Sequence, residues 1–196
     1  MEQMAVRQLG WTNSAALGLR DLIDLMDIAG GLAGADTIGN WLRATCPTPT
    51  ELRPFVHFGD DGYRRNLVRR RRHYEILVLC WRPGQCSPIH DHRQSRCAVA
   101  VLSGAATEAR LVRMADGRLR MDAVTTLCAG TVTSSFDDEI HVLGNTSADG
   151  HDLLTLHVYA PPLAHMRTYD ARDLEESTAR RLRHLGLVRT ATLTDG

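Results

Sequence analysis

Apolar side chains at Leu17, Leu22, Ile23, Leu25 and Met26 recur at roughly helical spacing between Ser14 and about Ala29, with Asp21 and Asp24 interleaved. The pattern predicts an amphipathic helix against the core, ended by Gly30-Gly31. A second, short helix fits Asp36 to Thr45 with Trp41 and Leu42 on its inner side, before Pro47 and Pro49 break the chain. After Pro54 the texture changes. The runs YRRNLV (63–68), YEILVLCW (74–81), CAVAVL (97–102), TEARLV (107–112) and LRMDAV (119–124) are short, rich in strand formers and divided by turn residues. That rhythm predicts an all-β core, an antiparallel β-barrel or sandwich of hairpin-linked strands, with Pro83-Gly84 and Asp116-Gly117 supplying reversals. TLHVYA (155–160) alternates strictly, so Thr155, His157 and Tyr159 share one face while Leu156 and Val158 take the other. The polar face is the unusual one. Pro161-Pro162 ends this strand, and the bond before Pro161 is a candidate for the cis form. From about Ala171 to Leu185 acids precede arginines, the order that suits a helix dipole, so a C-terminal helix is expected with the last ten residues as a loose tail.

One domain over 1–196 accommodates this order: a mainly helical segment over 1–53, a β-barrel core over 54–170, and a C-terminal helix and tail over 171–196. The 23 basic and 23 acidic residues cancel, so no overall field favours nucleic acid or an anionic membrane, and a small-molecule function is expected. Every basic residue in that count is arginine, a bias that fits GC-rich coding better than recognition. The run Arg69 to Arg72 fits either a phosphate-rich partner or a polar hairpin between two strands, and the neutral total favours the hairpin. Five cysteines, Cys46, Cys80, Cys86, Cys97 and Cys128, are an odd number without paired spacing, as suits a reducing cytoplasm; Cys46, Cys80 and Cys128 are read as packing residues. The N-terminal MEQMAVRQLGW lacks a basic start followed by an apolar core, and no apolar run approaches the roughly 18 residues of a membrane span. The expectation is a cytoplasmic monomer without nucleic-acid or membrane partners.

The candidate chemistry lies between Gly84 and Gly104. His90 and His92 are metal-ligand types at a spacing of two, and on a strand their imidazoles would face one side with Asp91 on the other. The stretch reads G-x5-H-x-H-x4-C-x6-G and resembles the first motif of the cupin superfamily, with Cys97 where most cupins have a metal-binding Glu. Gly130 to Asn145 reads G-x10-H-x3-N and matches the histidine and asparagine of the second cupin motif, without its usual Pro and Gly. The resemblance implies a cupin-type jelly roll with His141 as a third ligand beside His90 and His92. Three neutral imidazoles suit a first-row metal such as iron, zinc, copper or nickel, and without a carboxylate ligand the metal's charge stays available to anionic exogenous ligands. Iron held on one face could take a thiolate, a second substrate donor and dioxygen together.

YRRNLV (63–68), Cys80-Trp81, Pro83-Gly84, the His90-Asp91-His92 triplet, Cys97, His141 and LHVYAPP (156–162) together resemble the cysteine dioxygenase family over roughly residues 60 to 165. That resemblance implies a non-haem Fe(II) cupin oxidising L-cysteine with O2 to cysteine sulfinic acid. It implies a thioether between Cys97 and Tyr159, a relay of Thr155, His157 and Tyr159 in which the histidine orients the tyrosine hydroxyl, and Arg65 with Tyr63 as the grip on the substrate carboxylate. An arginine fork suits a planar carboxylate on geometry alone. Met166 stands near where vertebrate members have a pocket-wall cysteine, and Cys86 lies unusually close to the histidine motif.

Plainer readings stand beside these. Cys97 could be an inert buried thiol, Arg65 one of a solvated pair with Arg64, and Tyr159 an ordinary strand aromatic. His57, His73, His151, His165 and His184 are assigned to surface or core. At the level of function, the alternatives to cysteine oxidation are a dioxygenase of another small thiol such as 3-mercaptopropionate, or a non-catalytic metal-binding cupin that senses a small acid.

Overall fold

The computed structural model describes residues 16–135, 139–163 and 166–188. The start of the first helix at Ser14, the N-terminal undecapeptide, His165 and the C-terminal tail therefore lie, wholly or in part, outside the described residues. Within them helix α1 runs over Leu19–Ala29, later than the apolar spacing suggested. Leu17 is held in an extended bridge, where its amide donates to the Ala44 carbonyl at 2.8 Å and its carbonyl accepts from Cys46 at 2.7 Å, so the helical turn cannot reach back through it. Asp21 caps the first turn through the Gly18 amide at 2.8 Å, and Gly30 closes the helix in the left-handed conformation at φ 56°. Helix α2 spans Ala35–Ala44 and turns Ile38, Gly39 and Leu42 inward, with Trp41 only partly buried. Pro47 and Pro49 were expected to break the chain, but Pro49 begins a further short helix, α3 (Pro49–Leu52). Proline suits a first helical turn, and Thr48 and Glu51 complete a capping box around it.

Ten strands follow: β1 (Arg64–Arg70), β2 (Glu75–Trp81), β3 (Ile89–His90), β4 (Arg96–Ser103), β5 (Ala105–Arg113), β6 (Leu119–Cys128), β7 (Val132–Ser135), β8 (Ile140–Gly144), β9 (Leu153–Ala160) and β10 (Thr168–Tyr169). They form two antiparallel five-stranded sheets, ordered β1-β2-β9-β4-β7 and β10-β3-β8-β5-β6, the double-sheet barrel of a cupin. Consecutive strands pair only at β1–β2 and β5–β6 among the described residues. The Arg69–Arg72 run is the first of these hairpins, as the neutral charge favoured, and Arg69 and Arg71 pair with Asp27 of α1 at 3.8 and 3.3 Å. The Pro83-Gly84 turn is different. It was expected to join paired strands, yet it carries the chain from β2 in one sheet to β3 in the other.

β2 is buried along its whole length, which is why its sequence is apolar rather than alternating. Ile76 and Val78 pack outward with Ala98, Leu156 and Val158 beneath Leu22, Met26, Ile38 and Leu42 of the helices. Leu77, Leu79 and Trp81 point the other way, between the sheets, with Val99, Val101, Ala106 and Leu143. A third cluster buries the far side of the second sheet under Leu182 and Leu187. Leu182 belongs to α4 (Glu176–His184), which is shorter than expected because a 3-10 turn over Ala171–Asp173 precedes it. Of the cysteines read as packing residues, Cys80 is buried, but Cys46 and Cys128 are exposed. The Ala160–Pro161 bond is cis.

Gly104 carries the chain between the sheets at φ +80°, and a Cβ there would lie 2.7 Å from the Asp152 carbonyl oxygen, which is backbone and cannot swing aside. Gly117 in the β5–β6 turn has a similar φ of +86° but open space around it. Gly104→Ala should therefore lose at least about 2 kcal/mol in a denaturant titration, against roughly 1 kcal/mol for Gly117→Ala. Equal losses would show that backbone conformation alone, without the close approach, sets the requirement.

Candidate metal centre

Antiparallel register brings the first two ligand-type residues together, since His90 of β3 lies opposite His141 of β8. His92 sits two residues on, just past the end of β3, so the expected strand covers only its first histidine. The sidedness still holds. All three imidazoles converge, with ring centroids 4.7 to 5.2 Å apart and one ligand atom from each within 4.8 Å of the others. Asp91 turns away and accepts the Tyr169 hydroxyl at 2.8 Å.

Each ring is anchored through Nδ1. His90 Nδ1 lies 2.9 Å from the Pro88 carbonyl, His92 Nδ1 3.2 Å from the Ser135 hydroxyl, and His141 Nδ1 2.7 Å from Glu108 Oε1. Nε2 is thereby left for a ligand in all three. His92 Nε2 is buried without any hydrogen-bond partner, a condition that ordinarily costs about 1–3 kcal/mol. An orphaned acceptor among three convergent, second-atom-tethered imidazoles fits a bound metal ion. Burial, reinforced by the charge of the neighbouring rings, pushes His90 down to about 4 and His92 to about 2, which keeps both rings neutral and ready to coordinate. Burial would raise the Glu108 carboxyl, but the hydrogen bond and charge of His141, with Arg110, carry it below its ordinary value.

The first sheet supplies the opposite wall. On β9, Trp81 Nε1 donates to Thr155 Oγ1 at 2.9 Å, Thr155 Oγ1 lies 2.9 Å from His157 Nε2, and His157 Nδ1 lies 3.2 Å from the Tyr159 hydroxyl. Burial holds His157 well below and Tyr159 well above their ordinary values, so the row is neutral. Cys97 of β4 faces Tyr159 directly across the β4–β9 register; burial pushes its thiol up to about 12, opposed by hydrogen bonds with the Tyr159 and Ser135 side chains. Arg65 reaches in from β1 with its guanidinium 5.5 Å from the Tyr159 ring centre, and Tyr63 stacks on Trp81 at 4.1 Å.

Every residue given a site role in the sequence except Thr155 lines one small cavity: Tyr63, Arg65, His90, His92, Cys97, His141, His157 and Tyr159. Thr155 stands behind it through His157. His57, His73, His151 and His184 are exposed. Met166 and Cys86 do not line the cavity; Cys86 bridges Gly144 and packs on the far side of the second sheet. Sequence reasoning missed the supporting residues. Glu108 was one strand residue among many, though an acid in the inward-facing row of a buried strand is a signal. Ser135 carried none. Glu75 was also missed; 4 % exposed, it lies 3.6 Å from Arg65 Nη2 and accepts the Leu163 amide at 3.1 Å.

Three inward imidazoles on a double-sheet barrel define a metal-binding cupin. Comparison with known proteins narrows this. The family model for cysteine dioxygenase type I matches residues 11–172, and the chain belongs to that family: it is an enzyme, a thiol dioxygenase of the non-haem class, not a non-catalytic binding protein. It is similar to cysteine dioxygenase type 1 of Homo sapiens, 26% identical over 192 residues covering 91% of this chain and 92% of the human one. The Danio rerio protein of the same name is 26% identical over 151 residues, 74% of each chain. Among solved structures, a double-stranded beta-helix protein from Klebsiella pneumoniae is similar at a TM-score of 0.49 and 21% identity, over 60% of this chain and 87% of that one. No helix among the described residues is long and apolar enough to cross a membrane.

The depressed histidines set a pH dependence for the metal-free protein. An unfolded histidine titrates near 6.5, so between pH 6.5 and about 4 the unfolded chain takes up a proton at His90 that the folded chain refuses. Stability is complete above pH 6.5 and falls as the pH drops, by about 1.4 kcal/mol per unit for each such histidine, with His92 continuing the decline toward about 2. Urea titrations of the metal-stripped protein at pH 7, 6, 5 and 4 should show this slope, and a flat profile would place the rings in contact with water.

Proposed function

We propose that the protein is an iron(II)-dependent cysteine dioxygenase, converting L-cysteine and O2 to cysteine sulfinic acid. The observation that carries this reading is that a guanidinium, Arg65, lines the same small cavity as His90, His92 and His141. A small molecule with a soft donor at one end and a carboxylate at the other meets complementary groups at both. When bound, iron(II) supplies a Lewis acid that favours the thiolate form and the redox chemistry that dioxygen requires.

The chain's own residues do the rest. Arg65 grips the substrate carboxylate and is itself braced by Glu75, while Tyr63, fixed by its stack on Trp81, closes the same end. Leu79, Leu143 and Trp81 exclude water, which strengthens every polar contact inside. With Trp81 donating to Thr155, the threonine hydroxyl donates to His157 Nε2 and His157 Nδ1–H to the Tyr159 oxygen. The phenol hydrogen of Tyr159 is then directed away from His157, to the Cys97 sulfur or to an oxygen on the substrate side. The register of Cys97 opposite Tyr159 supports a thioether between them, formed with loss of the thiol hydrogen and one ring hydrogen to dioxygen, which is reduced to hydrogen peroxide. The odd number of cysteines without paired spacing supports action in a reducing cytoplasm, and the monomer stays part of the proposal.

Steady-state kinetics of the iron-loaded enzyme on three thiols test the substrate. Cysteine should exceed cysteamine, which lacks the carboxylate, by roughly 30-fold to several thousand-fold in kcat/KM, the usual range when a charge-assisted pair loses one member at about 2–5 kcal/mol. Arg65→Ala should erase most of that margin. Cysteine should also exceed 3-mercaptopropionate, which keeps the carboxylate and lacks the amine; the reverse order would reassign the enzyme to that acid.

A peptide map tests the thioether. After many turnovers the peptides bearing Cys97 and Tyr159 should run as one species lighter by two hydrogens, and Cys97→Ser should retain reduced activity. Complete alkylation of Cys97 at that stage would show an ordinary buried thiol.

A further inference from the structure

The three ligand rings are held unequally. His90 and His92 lean on neutral partners, the Pro88 carbonyl and the Ser135 hydroxyl. His141 leans on a carboxylate, Glu108, at 2.7 Å, with both side chains almost wholly out of water. The register explains the contact: β5 pairs with β8 so that Glu108 lies opposite Leu143 and Arg110 opposite His141. The second oxygen of Glu108 meets Arg110 Nε at 3.4 Å, and Arg110 also reaches Glu139 at 2.6 Å and Thr133 at 3.2 Å. Arg110 is 39% exposed and lines an open groove that none of the three histidines lines. A continuous polar line thus runs from that groove through Arg110 and Glu108 to one metal ligand.

We propose that Glu108 is a positioning residue that lends negative charge to the metal centre through His141, and that Arg110 sets how much of it arrives. By accepting Nδ1–H, the carboxylate fixes the tautomer that presents Nε2 and makes that ring a stronger donor than its two neighbours. Negative charge one ring away from a cation stabilises the ion of higher charge more, so Glu108 favours the oxidised over the reduced metal. The Arg110 guanidinium works against it. A carboxylate one ring outward from the metal acts on the ion through His141 without occupying a coordination position. The inference rests on the metal centre proposed above, and adds to it a charged group outside the cavity.

Opposite signs make the test. Glu108→Gln keeps the size and an accepting carbonyl while removing the charge; Arg110→Gln removes the opposing cation; Arg110→Lys retains it. Iron(II) and iron(III) affinities are measured by chelator competition under argon, with no turnover involved. Glu108→Gln should weaken iron(II) binding 10- to 100-fold. It should weaken iron(III) binding about tenfold further, which raises the one-electron potential by about 59 mV. Arg110→Gln should shift the potential the other way, and Arg110→Lys should stay near wild type. Circular dichroism and thermal melts confirm that the variants compared are folded. Shifts of the same sign in Glu108→Gln and Arg110→Gln, or an unchanged potential in Glu108→Gln, would overturn the proposal by reducing the pair to packing. A wild-type protein that binds iron with this pattern yet oxidises no thiol would instead sink the functional reading and leave the charge line standing.

Discussion

The antiparallel register that sets His90 opposite His141 is the constraint on which the site depends. Side chains alternate along a strand, so a slip of one residue in β8 would turn His141 outward under α4 and Val142 toward His90. Several contacts guard against that slip. Val142 and Ile140 are buried with Leu182 and Leu187 on the outer side, Leu143 is buried between the sheets, and the Ser87 hydroxyl accepts the Leu143 amide at 3.1 Å. The apolar pattern of a five-residue strand thus fixes the position of the His141 imidazole, and ordinary core packing determines the geometry of the site.

The second dependence is on satisfaction of buried polar groups. Thr155, His157 and Tyr159 are at most 4% exposed on a strand with neighbours on both sides, where each unpaired hydroxyl or ring nitrogen would be costly. They are tolerated because they bond to one another in series, starting from an indole N–H that needs an acceptor itself. The same logic applies to Arg65 and Glu75: a carboxylate this deep requires a cation nearby, and the partly exposed guanidinium that supplies it is also the group facing the cavity.

The site was more legible in the sequence than its supports were. Period two placed His90 and His92 on one face and Thr155, His157 and Tyr159 on another, while the convergence of His141 with them was implied by the resemblance to the cupin motifs and not by spacing. The two-sheet barrel was legible from the change of period after Pro54, and the Arg69–Arg72 hairpin from charge. Strand partners were not. Pro83-Gly84 has the residues of a hairpin turn, but whether a turn returns to the same sheet or crosses to the other is decided by long-range burial, here the paired Leu77, Leu79 and Trp81 row that must face the second sheet. Glu108, Ser135 and Glu75 escaped for a related reason: a residue that supports a ligand is defined by a neighbour on another strand, 33 positions away for Glu108 and His141 and 43 for Ser135 and His92. The late start of α1 has the same origin, because Leu17 is withdrawn from the helix by a bridge to Thr45.

The two sheets divide the work. The second sheet carries His90 and His141, with His92 just beyond its strand; the first carries Arg65, Cys97 and the Thr155–His157–Tyr159 row. On the proposed reading a thiol acid would be held by one sheet at its sulfur and by the other at its carboxylate, and no single strand contains both the histidines and the arginine. The distance between those ends is set by the side chains packed between the sheets, Leu77, Leu79, Val99, Val101 and Leu143 among them. Such cores adjust only in part when a side chain changes volume, so a change in this layer is transmitted to the spacing between the three imidazoles and the guanidinium. Reactions that need two groups aligned lose rate steeply with small displacements, and the apolar layer acts as the ruler of the site.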